Sequence, residues 1–375
     1  MHKEILGYLN EILRLIINLN YLGVENKFKK AYNIGISYFG GYMTRSEFIF
    51  VLIDKLFYVP QNYRRYKGIE VVNKGIVYDE NYPDDCCAEV YYDPKLIGED
   101  KPKLPVILNV HGGGFVKGDM RYRKSLCKRY ASHGYFVFNI NYRLSPKYSF
   151  PSANIDCANA MNYLLVLAEK YNIDLNKVCV TGDSAGAHFA TQIVAMYTNE
   201  KLRNAIGAPE IKVKPAVLLS FCGPYDLVQS ISLTKLPFNI VWDIGRCYFD
   251  NENFSLKKDF SNMNEVENLE CASPINWVND KWCPSFLVMS GKDIFCKGQG
   301  ELLKQKLDEC GVENETVAST KFIDNHCFHL NFWTKISKDC FKKAFEFLDK
   351  VLNANEMKIE EEIREEIQEV ASAEE

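Results

Sequence analysis

Apolar positions along the chain follow one rhythm over most of its length. From about residue 70 onward, short β-branched and aromatic runs alternate with stretches of helical periodicity, the pattern of a parallel sheet with crossover helices. Val71–Tyr78 and Ala88–Tyr92 read as strands, and Val106–Val110 and Tyr135–Asn139 are compact apolar runs of the kind buried on both faces. Val178–Thr181, Ala216–Ser220, Phe286–Ser290 and Thr316–Ile323 continue the series. Between them the spacing predicts helices over Tyr122–His133, Asp156–Lys170, Ser184–Tyr197, Gly300–Cys310 and Lys338–Val351.

Three segments break that rhythm. Residues 1–70 open with Ile5, Leu6, Leu9, Ile12, Leu13, Ile16 and Ile17 on one helical face, interrupted by Glu4, Glu11 and Arg14. Those charges leave no run of about twenty apolar residues, so the pattern predicts a docked amphipathic helix with no stable membrane insertion. The opening also lacks the charged start and cleavage site of a signal peptide. Residues of about 227–270 form the second segment; like Phe48–Tyr58, its stretch Phe238–Phe249 is aromatic and helix-prone, so the two segments are expected to pack together over one end of the sheet. The third, 353–375, is rich in glutamate and reads as a solvated acidic helix or as disorder.

Charge and cysteine content narrow the function classes. With 45 basic and 49 acidic residues in 375, the net charge of −4 supplies none of the positive field that nucleic-acid binding uses, so no such partner is expected. The 13 cysteines include no CxxC pair, which argues against zinc knuckles and thioredoxin-type chemistry. Reduced thiols in a cytoplasmic location are the expectation. At roughly 150 residues per domain the length allows two or three units, or one large domain with additions.

The strongest local signal is Gly182-Asp183-Ser184-Ala185-Gly186, which follows the strand Val178–Thr181 and opens a helix. A tight strand-to-helix turn exposes its serine, and the flanking glycines permit close backbone approach, so Ser184 is the candidate nucleophile. The second signal is His111-Gly112-Gly113-Gly114-Phe115, directly after Val106–Val110. Consecutive glycines suit a loop whose N–H groups face a cavity. Gly113, Gly114 and Ala185 are the candidate oxyanion donors, while His111, Gly112 and Asp183 are expected to support the loops. No phosphate-loop or dinucleotide glycine pattern follows a strand.

A serine needs a base, and the base an orienting acid. Of six histidines, His326 follows the last predicted strand and can open at the same sheet edge as Ser184. His329 stands in reserve; His2, His133 and His188 are placed less well. The chain order that goes with a serine elbow puts the acid between serine and histidine. Asp293, just past Phe286–Ser290, fits that place better than Asp280, Asp308 or Asp324.

With these residues the chain resembles the hormone-sensitive-lipase-like family of α/β-hydrolases, in the branch whose elbow reads Gly-Asp-Ser-Ala-Gly. The likeness spans roughly residues 75–350 and includes Asn141-Tyr-Arg-Leu-Ser-Pro146, Phe150-Pro-Ser-Ala153, Gly223-Pro-Tyr-Asp226 and Ala272-Ser-Pro274. It implies an α/β-hydrolase fold, a mostly parallel central sheet flanked by helices, over residues 71–352. A helical cap would be built from residues 1–70 and the insertion at about 227–270. It implies a carboxylic-ester hydrolase with a Ser184–Asp293–His326 triad and no cofactor or metal. Cys327 stands where the family has glycine after the histidine.

The expected substrate is a small short-chain or aryl ester, since nothing resembles a large lipid-binding surface. Cap aromatics such as Tyr38, Phe39, Phe48, Trp242 and Phe249 suggest an apolar pocket or fill the cap core. Amide, formamide or acetyl-group hydrolysis on the same triad is an alternative, and a non-catalytic small-ligand receptor on the same scaffold is another. A homo-oligomer is compatible with this sequence. Cys296 and Cys327, near the acid and the base, are expected to make the activity sensitive to oxidation.

Overall fold

The computed structural model describes residues 43–373 except 63–65, 67, 70, 99, 235–238 and 322–323. The amphipathic pattern at residues 5–17, and Tyr38, Phe39 and Phe238, lie outside the described residues. Eight strands form one sheet: β1 (Val71–Val77), β2 (Cys87–Tyr91), β3 (Leu104–Val110), β4 (Phe136–Ile140), β5 (Ile173–Asp183), β6 (Val217–Phe221), β7 (Ser285–Ser290) and β8 (Asn314–Ser319). Their order is β1-β2-β4-β3-β5-β6-β7-β8. The first two pairings are antiparallel and all the others parallel.

Alternation along each strand sends side chains to opposite faces, and each face has its own core. Val106, Leu108, Val110, Phe136, Phe138, Val178 and Val180 join one cluster with Met161, Phe189 and Ile193. Those last three belong to helices α3 (Ser152–Lys170) and α4 (Ala185–Thr198). Ile107, Val137, Cys179, Val217 and Leu219 join the other, with Leu126, Tyr130, Phe341 and Leu348. These come from α2 (Lys124–Ala131) and α9 (Lys335–Ala373), whose backbone stays helical to its last residue. Burying a side chain such as Phe138 contributes about 2–3 kcal/mol, so two-sided burial explains why these strands read as unbroken apolar runs.

Several predicted boundaries move: the strand expected over Val178–Thr181 runs from Ile173 to Asp183, and the helix expected over Tyr122–His133 is confined to Lys124–Ala131. The last strand was expected over Thr316–Ile323 but ends at Ser319, because Ser290, its final partner, is the last residue of β7. The chain then turns: Asp324 N–H donates to Lys321 O at 3.1 Å, and Ser319 Oγ donates to Asp324 Oδ2 at 2.6 Å. The helix expected from Asp156 begins at Ser152, where Asn154 and Ile155 N–H both donate to Pro151 O and so start the ladder one turn earlier.

Before the sheet runs α1 (Arg45–Asn62), and between β6 and β7 lie α6 (Leu227–Leu233) and α7 (Ile240–Phe249), α5 (Glu200–Ala205) having preceded β6 and α8 (Gln299–Glu309) following β7. Helices α1 and α7 meet through Asp243, whose Oδ2 accepts from Ser46 N at 2.8 Å and Ser46 Oγ at 2.7 Å. Toward the sheet, Glu47 of α1 pairs with Lys117 at 2.9 Å, and Asn62 donates to Tyr122 O at 3.1 Å and accepts from Ser125 N at 3.1 Å. Among the described residues no helix is long and apolar enough to cross a membrane.

Candidate active site

β5 passes straight into α4 through Ser184, whose φ of 54° and ψ of −121° lie where a residue with a side chain is rarely found. Ser184 N–H donates to Phe221 O at 2.9 Å, and Ser184 O accepts from His188 N at 3.1 Å to start the helix. The turn is possible only with bare backbone on both sides. A Cβ on Gly182 would fall 2.3 Å from Gly186, and one on Gly186 would fall 2.1 Å from Val110 O.

The glycine loop after β3 lies beside this turn, since a Cβ on Gly112 would sit 3.1 Å from Ser184 Cβ. Gly113 O accepts from Val116 N at 3.3 Å and Lys117 N at 3.0 Å, which closes the loop on itself. No acceptor among the described residues takes the N–H of Gly113, Gly114 or Ala185. Among the described residues those three donors are thus left without a protein acceptor. His111 is buried and stacks on Tyr142 at 4.5 Å, while Tyr142 Oη donates to His111 O at 2.8 Å. Burial pushes its pKa down to about 4, so it braces the loop as a neutral ring.

Asp183 is buried against Arg123, which donates from Nε and Nη2 to its two oxygens at 2.5 Å each. Burial works to raise this carboxyl, but the guanidinium charge and its hydrogen bonds hold it below the usual carboxylate range. Arg123 is a partner that no spacing in the sequence announces, and it lies 60 residues away.

Loops after β7 and β8 complete the site. His326 Nε2 lies 2.8 Å from Ser184 Oγ, and His326 Nδ1 lies 2.9 and 2.8 Å from the two oxygens of Asp293. Asp293 Oδ1 also accepts from Phe295 N and Cys296 N, both at 2.8 Å, so its carboxylate is held by backbone. Asn325 clasps the two loops, accepting from Ile294 N at 3.2 Å and His326 N at 2.7 Å. Its place immediately before the histidine was its only sequence signal.

Electrostatics follow from this pairing. Burial opposes charge on His326, but the facing Asp293 carboxylate prevails and raises it to about 9. Burial likewise opposes charge on Asp293, and the imidazole with the two amides holds it below its ordinary value. Donor atoms of Asp293, Cys296 and His326 lie within 4.8 Å of one another. The carboxylate and imidazole are already engaged with each other, so neither offers its facing atoms as ligands without breaking that pair.

The other candidates lie elsewhere. His329 stacks on Phe221 at 4.3 Å, both ring nitrogens are buried with no hydrogen-bond partner among the described residues, and burial pushes it down to about 3. His188 is buried, with Nδ1 2.8 Å from Pro224 O. Asp324 is taken up by Ser319, Asp308 by Lys304 at 2.5 Å, and Asp280 is exposed. Burial holds the Cys296 and Cys327 thiols well above their ordinary pKa. A raised thiol pKa disfavours the thiolate through which oxidation proceeds, which weighs against the sensitivity expected from sequence.

Comparison with known proteins places this geometry among relatives. A family model described as BD-FAE matches residues 91–307. The putative alpha/beta hydrolase R526 of Acanthamoeba polyphaga mimivirus is 28% identical over 240 residues, 58% of this chain and 60% of that protein. The ethyl acetate hydrolase of Pseudomonas putida is 33% identical over 122 residues, 32% of this chain and 36% of that protein. The chain therefore spans three-fifths or less of the length of these relatives. Among solved structures, esterase B from Lactobacillus rhamnosis superposes with a TM-score of 0.68 at 17% identity, over 83% of this chain and 94% of that one. At that identity the likeness is one of fold, and the fold is the α/β-hydrolase fold.

Proposed function

Since the chain belongs to the BD-FAE family, among the hormone-sensitive-lipase-like α/β-hydrolases, we propose that it is a serine hydrolase cleaving carboxylic esters through an acyl-enzyme. The observation that carries this reading is the unbroken line Ser184 Oγ, His326 Nε2, His326 Nδ1, Asp293, with contacts of 2.8 to 2.9 Å, on a strained strand-to-helix turn. Such a line raises a hydroxyl from a weak nucleophile to a competent one.

In this reading Ser184 attacks the ester carbonyl and passes its proton to His326 Nε2. The carbonyl oxygen, now negative, accepts from Gly113, Gly114 and Ala185 N–H, whose freedom from other acceptors suits them to it. His326, charged and steadied by Asp293, then protonates the departing alcohol. Water repeats the cycle on the acyl-enzyme and releases the acid. His111, Gly112 and Asp183 hold the two loops in register. Helices α1 and α7, joined through Ser46 and Asp243, act as a cap over the site, and thirteen free thiols suit a reducing cytoplasm.

The substrate we propose is a small ester with a short acyl chain or an aryl group. The test is labelling by a fluorophosphonate, which is expected to be lost in Ser184→Ala; a wild type that takes no label overturns the hydrolase reading. Chain length is read from p-nitrophenyl esters running from acetate to palmitate, and a maximum at decanoate or beyond overturns the short-chain assignment.

A further inference from the structure

Two aromatic side chains from distant segments converge beside the base. Phe295 is half-buried, and its ring centre stands 5.0 Å from that of His326 with the planes at 56°. Its backbone is pinned on both sides: N–H donates to Asp293 Oδ1 at 2.8 Å, and C=O accepts from Thr234 Oγ1 at 3.3 Å. Behind it lies Phe50 of α1, buried, 6.0 Å from Phe295 centre to centre. Phe50 also covers the glycine loop so closely that a Cβ on Gly114 would fall 2.2 Å from its ring. The two rings therefore form a continuous aromatic wall from the glycine loop to the imidazole.

The reaction geometry decides which half of a substrate meets that wall. The carbonyl oxygen must face Gly113, Gly114 and Ala185, whereas the leaving oxygen must face His326 Nε2 to receive its proton. Whatever is attached to the leaving oxygen emerges next to His326, where Phe295 stands. Tilted rings with centres 4.5–7 Å apart attract through their quadrupoles beyond the area they bury. A flat ring on the leaving oxygen can make that contact with Phe295, and an aliphatic group cannot.

Resting on the esterase reading above, we infer that Phe295, braced by Phe50, determines specificity for the alcohol half of the ester and favours aryl leaving groups. The test compares kcat/KM for phenyl acetate and cyclohexyl acetate in the wild type, Phe295→Leu, Phe295→Tyr and Phe50→Leu. Both esters give the same acetyl-enzyme, so a change in their ratio arises in acylation. Their rings match in size, so the ratio reports flatness. The difference in intrinsic leaving ability cancels when each variant is divided by the wild type.

The phenyl-to-cyclohexyl ratio is expected to fall about two- to tenfold in Phe295→Leu, the factor an aromatic contact is worth. It is expected to fall less in Phe50→Leu and to hold in Phe295→Tyr, which keeps the ring. A ratio unchanged in a Phe295→Leu protein that still takes the fluorophosphonate label overturns this inference and leaves the esterase reading standing. A wild type that takes no label and hydrolyses neither ester overturns both.

Discussion

Replacing Asp293 by asparagine keeps the shape of the side chain and changes the chemistry of one atom. The carboxylate is 4% exposed and accepts from Phe295 N, Cys296 N and His326 Nδ1. Asparagine has one oxygen to offer, and two backbone amides claim it at the Oδ1 position, so its NH2 faces His326. The imidazole must then accept at Nδ1 and carry its proton on Nε2, where Ser184 needs an acceptor. A wrong tautomer with geometry intact lowers kcat by about 10⁴, or about 5 kcal/mol of transition-state stabilisation. The assay is hydrolysis of p-nitrophenyl acetate by wild type and Asp293→Asn, with thermal unfolding measured alongside across pH. Because His326 is raised to about 9 from 6.5, the stability its charge contributes is full below 6.5 and lost as pH rises through 9. Asp293 is depressed from 3.8, so its own contribution is lost as pH falls through that lower value. The stability gap between the proteins is therefore widest between about pH 4 and 6.5 and closes toward 9. A variant with kcat/KM within tenfold of wild type refutes the tautomer argument.

Other consequences are open to measurement. A general base must be neutral, so kcat/KM is expected to climb with pH through a midpoint near 9, the value to which Asp293 raises His326, and to level off above it; an acid limb centred at or below 6.5 contradicts this. Asp183→Asn leaves Arg123, itself 8% exposed, as a buried charge without its partner, which is expected to cost about 3–5 kcal/mol in urea unfolding. A loss under about 1 kcal/mol removes the ion pair as a support of the turn. Mild peroxide is expected to leave activity intact, because burial keeps the Cys296 and Cys327 thiols protonated; inactivation reversed by a thiol reductant shows otherwise.

What could be read from sequence were features governed by local geometry. Gly182, Gly186 and the loop at Gly112–Gly114 declare themselves because only bare backbone fits there. Buried strands declare themselves because helices cover both faces. Asp293 and His326 were legible because each follows a strand, so topology alone carries them to the edge where Ser184 stands. What was not legible depends on distant partners. The end of β8 is set by where β7 stops, Arg123 finds its role through Asp183, and Ser46 finds Asp243 across 197 residues. Phe50 belonged to an aromatic, helix-prone stretch, but nothing in that stretch says which ring will lie over Gly114.

The fastening of α1 bears on how the chain can be cut. A version beginning after Asn62 would look like a tidy hydrolase domain, since every strand among the described residues lies beyond that point. It would strip the ring from above Gly114, remove the carboxylate from Lys117 and take two donors from Asp243. The trimmed protein would keep its sheet and its serine, yet the glycine loop would meet water on the side where a phenylalanine now lies. Helix α1 therefore covers the glycine loop from a segment that precedes the first strand of the sheet, and a boundary chosen by strand content alone would strip that cover away.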